Sequence, residues 1–167
     1  KVKIEYFRLL TNRFTVLEKI FKKKIEVCLH PSSNLNVYKK NLQKFEVSKG
    51  KTKEKIFDSY MVIFHESAAV MDALIAKKKI LILETNILGN YLLNKMLMYK
   101  NLIKLPSIDM HSTKILSKKD FLNEYSKTKK HRDQYIKDNL IYHNNELPSI
   151  TFMNVINNLI KKNQRVS

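Results

Sequence analysis

Between Asp58 and Glu84 the chain runs DSYMVIFHESAAVMDALIAKKKILILE, and no other stretch restricts the fold as much. Met61-Val62-Ile63-Phe64 and Ile80-Leu81-Ile82-Leu83 are two uninterrupted apolar runs. Neither alternates with polar residues, so neither suits a sheet with one wet face. Strands of this kind belong to parallel sheets covered on both sides. The residues between them, from about Ser67 to Lys77, read as a short helix, which is the kind of connection two parallel strands require. His65-Glu66-Ser67 form a polar corner where the first strand meets that helix. Such corners are where open parallel sheets bind ligands.

The rest of the chain repeats this alternation. Ile4, Phe7, Leu10, Phe14, Leu17, Ile20 and Phe21 recur at intervals of three and four and predict an amphipathic helix over residues 4–22. Lys22-Lys23-Lys24 closes it with cations at the negative end of the helix dipole. A strand follows at Ile25–Leu29 and is ended by His30-Pro31, since proline cannot continue a central strand. Asn34 to Leu42 reads as a short helix or loop, and Phe45-Glu46-Val47 as a short strand. Ser48 to Thr52 is polar, and Thr52 is suited to cap a helix from Lys53 to about Ser59. Beyond Glu84-Thr85-Asn86, residues 87–100 predict a helix with Leu88, Tyr91, Leu92, Met96 and Leu97 inward. A last short strand is expected at Leu102–Leu105, before Pro106. From about residue 117 the chain reads as helical, with helices opening at Ser117, running from about Lys127 to Ile141, and running from Ser149 to Lys162. These elements predict a single α/β domain over residues 1–167: a Rossmann-like parallel sheet flanked by helices, with a helical C-terminal extension.

Composition restricts the functional classes. At 44% apolar residues the 167-residue chain has enough material for one packed core. No apolar run reaches the roughly 20 residues of a membrane span, and no secretory signal is visible. With Cys28 as the single cysteine, a buried, inert thiol in a reducing compartment is expected. The reading is a cytoplasmic protein. Its 32 basic against 15 acidic residues, a net charge of +17, raise the question of an anionic partner, nucleic acid or membrane. All but four of the basic residues are lysines, dispersed along the chain, and the aromatics fall on apolar helix faces. That pattern favours a lysine-decorated surface, with peripheral contact to an anionic inner membrane face, over a nucleic-acid site. Only Gly50 and Gly89 are glycines, so no glycine-rich phosphate loop exists. No Cys/His spacing points to a metal and no cofactor is expected.

Four strands are each followed by polar residues: His30-Pro31-Ser32-Ser33, Ser48 to Thr52, His65-Glu66-Ser67, and Glu84-Thr85-Asn86. In a parallel sheet these corners share one edge, where a single crevice collects them. Ser67 at a helix start, with Ala68 beside it, would leave backbone N–H groups to bind an anion. His30 at a strand tip is either a phosphate donor or the fastener of its own loop. His65 is either a ligand residue or a packing residue. Glu66 and Glu84 are either ribose ligands or bases, or else they cap and pair with lysines. No catalytic residue can be assigned from these patterns.

The segments YFRLLTNRFTVLEKIF, IEVCLHPSSN and KGKTKEKIFDSYMVIFHESAAVMDALIAKKKILIL together resemble the C-terminal, nucleotide-sugar-binding half of bacterial GT-B glycosyltransferases of capsule and lipopolysaccharide synthesis. His-Pro after one strand and a serine-bearing helix start after a later one are similar to sialyltransferases, Kdo transferases and polymerases that use CDP-glycerol. The resemblance covers about residues 5–85. It implies that His30, Pro31 and Ser67 hold donor phosphates, that Lys51 and Thr52 line the site, and that His65, Glu66 and Ala68 border it. Glu66-Ser67-Ala68 stands where those families often carry consecutive hydroxyl residues. The resemblance further implies a metal-independent transferase with a CMP- or CDP-sugar donor, UDP-sugar next, and a glycan or glycolipid acceptor. It also implies a strand immediately before the first helix, and a separate N-terminal half carrying the general base. The alternatives are a basic nucleic-acid-binding domain and a UDP-sugar epimerase of the same architecture.

Overall fold

The computed structural model describes residues 2–65, 67–113 and 116–140. Helices and strands alternate from the start: α1 (Val2–Phe21), β1 (Glu26–Leu29), α2 (Leu35–Asn41), β2 (Glu46–Lys49), α3 (Thr52–Asp58), β3 (Met61–Phe64), α4 (Ala69–Ile75), β4 (Lys79–Glu84), α5 (Asn90–Ile103) and β5 (Ser107–Asp109). Two helices follow, α6 (Lys118–Lys127) and α7 (Lys129–Asn139). The expected helix from Ser149 to Lys162 lies outside the described residues.

All strand pairs are parallel, as the apolar runs required. They form two sheets rather than the one expected: β1 pairs only with β2, and the order β3-β4-β5 makes the other. Strand β4 shows why its sequence is apolar throughout. Leu81 and Leu83 enter a core with Phe7, Leu10, Phe14, Leu17 and Phe21 of α1. Ile80 and Ile82 enter another with Val70 and Leu74 of α4 and Met96 and Ile103 of α5. These four central β4 side chains are at most 1% exposed. At about 2 kcal/mol for each large apolar side chain buried, this one strand contributes on the order of 8 kcal/mol of transfer free energy.

Local chemistry sets the helix boundaries. The side chain of Asn34 caps α2 by accepting from the Val37 N–H at 3.3 Å. Ser117 caps α6 by accepting from the Asp120 N–H at 3.0 Å. Helix α5 starts three residues later than its hydrophobic pattern suggests. The Gly89 N–H donates to the Asn86 carbonyl at 2.9 Å, and this turn, closed by Gly89 at φ 95°, precedes the helix. The rotation leaves Tyr91 70% exposed rather than inward, and Leu88 is exposed as well.

The expected strand at 102–105 does not form. Met96, Tyr99 and Ile103 continue the helical spacing, so α5 runs on to Ile103 and stops at Lys104, in the left-handed region. The last strand begins after Pro106 instead, paired as Ile82 to Ser107 and Leu83 to Ile108.

Arg13 of α1 is buried and its Nε donates to the Met110 carbonyl at 3.2 Å, joining the helix to the far end of β5. Among the described residues no helix is long and apolar enough to cross a membrane.

Candidate functional site

A cleft of about 880 Å³ lies between the two sheets. Its walls are β1 and β3, its roof is α1, and α3, α4 and α5 close the opposite face. His30 and Ser33 follow β1, Thr52 opens α3, and His65 and Ser67 follow β3; all five line this one cleft. The polar corners therefore converge, as expected for strands that end on one edge. Pro31, Lys51 and Ala68 are exposed and do not line the cleft, and Glu66 lies outside the described residues.

His30 is exposed on the turn that closes when the Ser33 N–H donates to the His30 carbonyl at 2.9 Å. Its Nδ1 accepts from the Ser32 N–H at 3.2 Å and lies 2.8 Å from Ser32 Oγ. A nitrogen that accepts from an amide carries no proton, so the neutral ring presents Nε2–H as its donor. His30 thus fastens its own loop and still has a donor to offer a ligand.

His65 has the opposite tautomer. Its Nδ1–H donates to the Leu83 carbonyl at 2.6 Å, which leaves Nε2 as a bare acceptor. That nitrogen is closed off from solvent and has no hydrogen-bond partner. Burial pushes the ring's pKa down, and the hydrogen bond to Leu83 opposes this only in part. The Tyr6 ring lies 5.7 Å away, centroid to centroid, and burial, with Tyr38 second, pushes its phenol far above the usual range. A neutral acceptor suits a hydroxyl or N–H of a ligand and is mismatched to a phosphate oxygen.

At the start of α4 the geometry differs from the expected phosphate cradle. The cap position is Ala68, and its backbone is already helical. Ser67 Oγ accepts from the Ala69 N–H at 3.2 Å, the Ser67 carbonyl from Val70 at 3.1 Å, and the Ala68 carbonyl from Met71 at 3.0 Å. The first-turn N–H groups of Ala69, Val70 and Met71 are therefore used within the turn, and α4 is only seven residues long. Thr52 does not cap α3 either. The cap position is Lys51, without a side-chain bond, and Thr52 is the first helical residue.

Glu84 parts company with the other candidates. Its carboxylate meets Lys100 Nζ at 2.8 Å, tying the end of β4 to α5. It borders a separate hollow with Thr85, Asn86, Asp109 and His111. Asp72 faces Lys53 at 3.9 Å, between α4 and α3.

The structure adds wall residues that the sequence had disguised. Lys55 of α3 meets Glu26 of β1 at 2.9 Å. Ser48 Oγ also donates to that carboxylate at 3.0 Å, and hydrogen bonding to Lys55 is the main cause holding it below the usual carboxylate range. Cys28 is half-buried rather than buried, and burial pushes its thiol up. Tyr6 and Tyr38 line the cleft as well. Among the described residues no group of three or more metal-ligating side chains comes together.

Compared with protein-family models, with curated proteins and with solved structures, the chain matches none of them.

Proposed function

We propose that the chain binds a nucleotide-sugar donor, as the donor half of a metal-independent, two-lobed glycosyltransferase serving bacterial surface polysaccharide synthesis. The observation carrying this reading is the convergence of His30, Thr52, His65 and Ser67 on one cleft at the carboxyl ends of β1 and β3. Polar groups gathered on that edge of a parallel sheet stand where such sheets bind ligands. His30 Nε2–H and the hydroxyls of Thr52 and Ser67 are donors for the diphosphate or monophosphate. His65, bonded to the Leu83 carbonyl, holds the end of β3 beside these donors. Donors of this kind stabilise the nucleotide phosphate as it leaves.

CMP- and CDP-linked sugars are the favoured donors, ahead of UDP-linked ones. The glycan or glycolipid acceptor and the general base belong to a partner lobe, and the lysine-rich exterior suits work beside an anionic membrane face.

Thermal unfolding with CMP, CDP and UDP tests the reading. At least one is expected to raise Tm, and His30→Ala and Ser67→Trp are each expected to abolish the rise. A rise that survives in both variants removes the assignment. Salt-sensitive binding of DNA or RNA, with no response to nucleotides, would point instead to a basic nucleic-acid-binding domain.

A further inference from the structure

Among the described residues, the edges of β1 and β3 that face the cleft have no strand partner. β1 is bonded only to β2, and β3 only to β4. The cleft wall includes every residue from 23 to 30 and every residue from 58 to 65. Side chains alternate between the faces of a strand, so a wall made of consecutive residues presents a backbone edge. Two rows of peptide groups therefore line the cleft.

Both strands point the same way. Phe21 at the end of α1 contacts Tyr60, just before β3, and a four-residue loop joins Phe21 to the start of β1. Tyr6, near the beginning of α1, contacts His65, just past the end of β3. Helix α1 thus runs antiparallel to both strands along the length of the cleft. It covers the opening with Tyr6, Leu10, Phe14, Leu17 and Phe21.

The helices also divide at the cleft. Helices α1 and α2 contribute to one core, with Leu29 of β1 and Val47 of β2. Those connecting the later strands, α3, α4 and α5, contribute to the other. Right-handed crossovers that reverse direction across a sheet must change face, and the place where they change is one sheet's point of reversal. The five strands consequently follow the order β2-β1-gap-β3-β4-β5.

A strand occupies about 160 Å³ per residue, from a spacing of about 4.8 Å, a layer of about 10 Å and a rise of about 3.3 Å. The cleft of about 880 Å³ then holds about five to six residues, the usual strand length.

We propose that the cleft is the seat of a sixth, central strand, parallel to β1 and β3 and continuous with the N-terminus of α1. The direction of α1 fixes this occupant. A strand that leads into α1 must end where Tyr6 and His65 meet, so it runs alongside β1 and β3 in their own direction, with α1 as its crossover helix. Its apolar side chains meet the α1 stripe on one face and the α3–α5 core on the other, and its peptide groups satisfy both open edges. The carboxyl end of the cleft, with His30, His65 and Ser67, stays open above it. The inference is independent of any nucleotide.

Hydrogen exchange on the chain with and without an added strand tests it. One form is the 167-residue chain; another carries, ahead of residue 1, about six apolar β-branched residues and a short polar turn. The extension is expected to slow the gap-facing amides of residues 26–29 and 61–64 about tenfold or more in a monomer, and to raise Tm. An extension with proline at alternate positions lacks the N–H groups for the ladder and is expected to do neither. Equal exchange in all three forms, or protection found only in a dimer, overturns the proposal.

A second measurement does not depend on the added sequence. Cysteines placed singly at residues 61–64 are expected not to form a disulfide with Cys28, because a strand-wide gap exceeds the reach of about 7 Å between Cα atoms. Ready cross-linking would show β1 paired directly with β3 and would also overturn it.

Discussion

The Nδ1 of His65 lies 2.6 Å from the carbonyl oxygen of Leu83, so a side chain continues the β3–β4 ladder one step beyond Phe64 and Ile82. The bond fixes the tautomer and leaves Nε2 buried without a partner. It also places a titratable ring where protonation is disfavoured.

Folding lowers the pKa of this ring below its ordinary 6.5, burial being the main cause. Between the lowered value and about 6.5 the unfolded chain therefore binds more protons than the folded one. The stability this group contributes is complete above about pH 6.5 and is lost as pH falls below it, at no more than about 1.4 kcal/mol per pH unit. His65→Asn retains a donor for Leu83 and does not titrate. Its urea midpoints at about pH 7, 6 and 5 are expected to fall less steeply than those of the parent. Parallel profiles would show that His65 does not control this range.

Lys77 ends α4 at φ 52°. Its N–H donates to Leu74 and that of Lys78 to Ala73, each at 2.9 Å, the paired bonds of a Schellman closure. A side chain in the left-handed region costs about 1 kcal/mol that glycine does not incur. Lys77→Gly is expected to raise stability by up to about 0.6 kcal/mol after the greater freedom of glycine in the unfolded chain is counted. Lys77→Val is expected to lower it. Denaturant midpoints of the two variants give the order directly.

Arg132 is buried on α7 with its guanidinium 3.5 Å from the centroid of the Tyr125 ring. It also donates to the Tyr125 carbonyl and to Thr128 Oγ1. Planarity serves both contacts, so Arg132→Lys is expected to lose most of the interaction despite keeping the charge, and Arg132→Met to cost about 2–3 kcal/mol. Tyr125→Phe keeps the stacking and loses only the hydroxyl's bond to the Lys78 carbonyl at 2.7 Å, at about 1 kcal/mol. Equal losses for Lys and Phe would refute the role given to the planar fork.

Glu84 and Lys100 meet at 2.8 Å, with the Glu84 side chain only 16% exposed. Glu84→Gln and Lys100→Met are each expected to cost about 1 kcal/mol. The double variant is expected to cost less than their sum by about 0.5–1 kcal/mol. Because this pair borders a different hollow from the cleft, Glu84→Gln is expected to leave any nucleotide-induced rise in Tm intact. Loss of that rise would return Glu84 to the ribose-binding role its position after β4 suggested.

What could be read from the residues was whatever a short window records. The apolar runs at 61–64 and 80–83 announced buried parallel strands, the α1 stripe announced its helix, and Ser117 announced a cap. Windows failed where two patterns overlapped. Leu102 to Leu105 reads as a strand by itself, yet Ile103 also completes the spacing of Met96 and Tyr99, and the longer pattern prevailed. The helix starts at Thr52 and Ser67 were misplaced, because each hydroxyl sits one residue from the cap position and only backbone angles determine which residue caps. The grouping of His30, Thr52, His65 and Ser67 was legible, since parallel strands must end together. The diversion of Glu84 to Lys100 was not, because that pair depends on the late start and long run of α5.

The interrupted sheet also governs the order of assembly. β1, α2 and β2 are consecutive in the chain, and so are β3 through β5, so each wall of the cleft closes over short loops that fold quickly. Helix α1 spans both walls, as α3 does through Lys55 and Ile56, and the bond from Arg13 of α1 to Met110 reaches across 97 positions of sequence. Two preformed halves meeting under one long helix give a late, slow step, and until that step the peptide edges of β1 and β3 are exposed together. The span of chain most prone to self-association during folding is therefore the one that borders the candidate site.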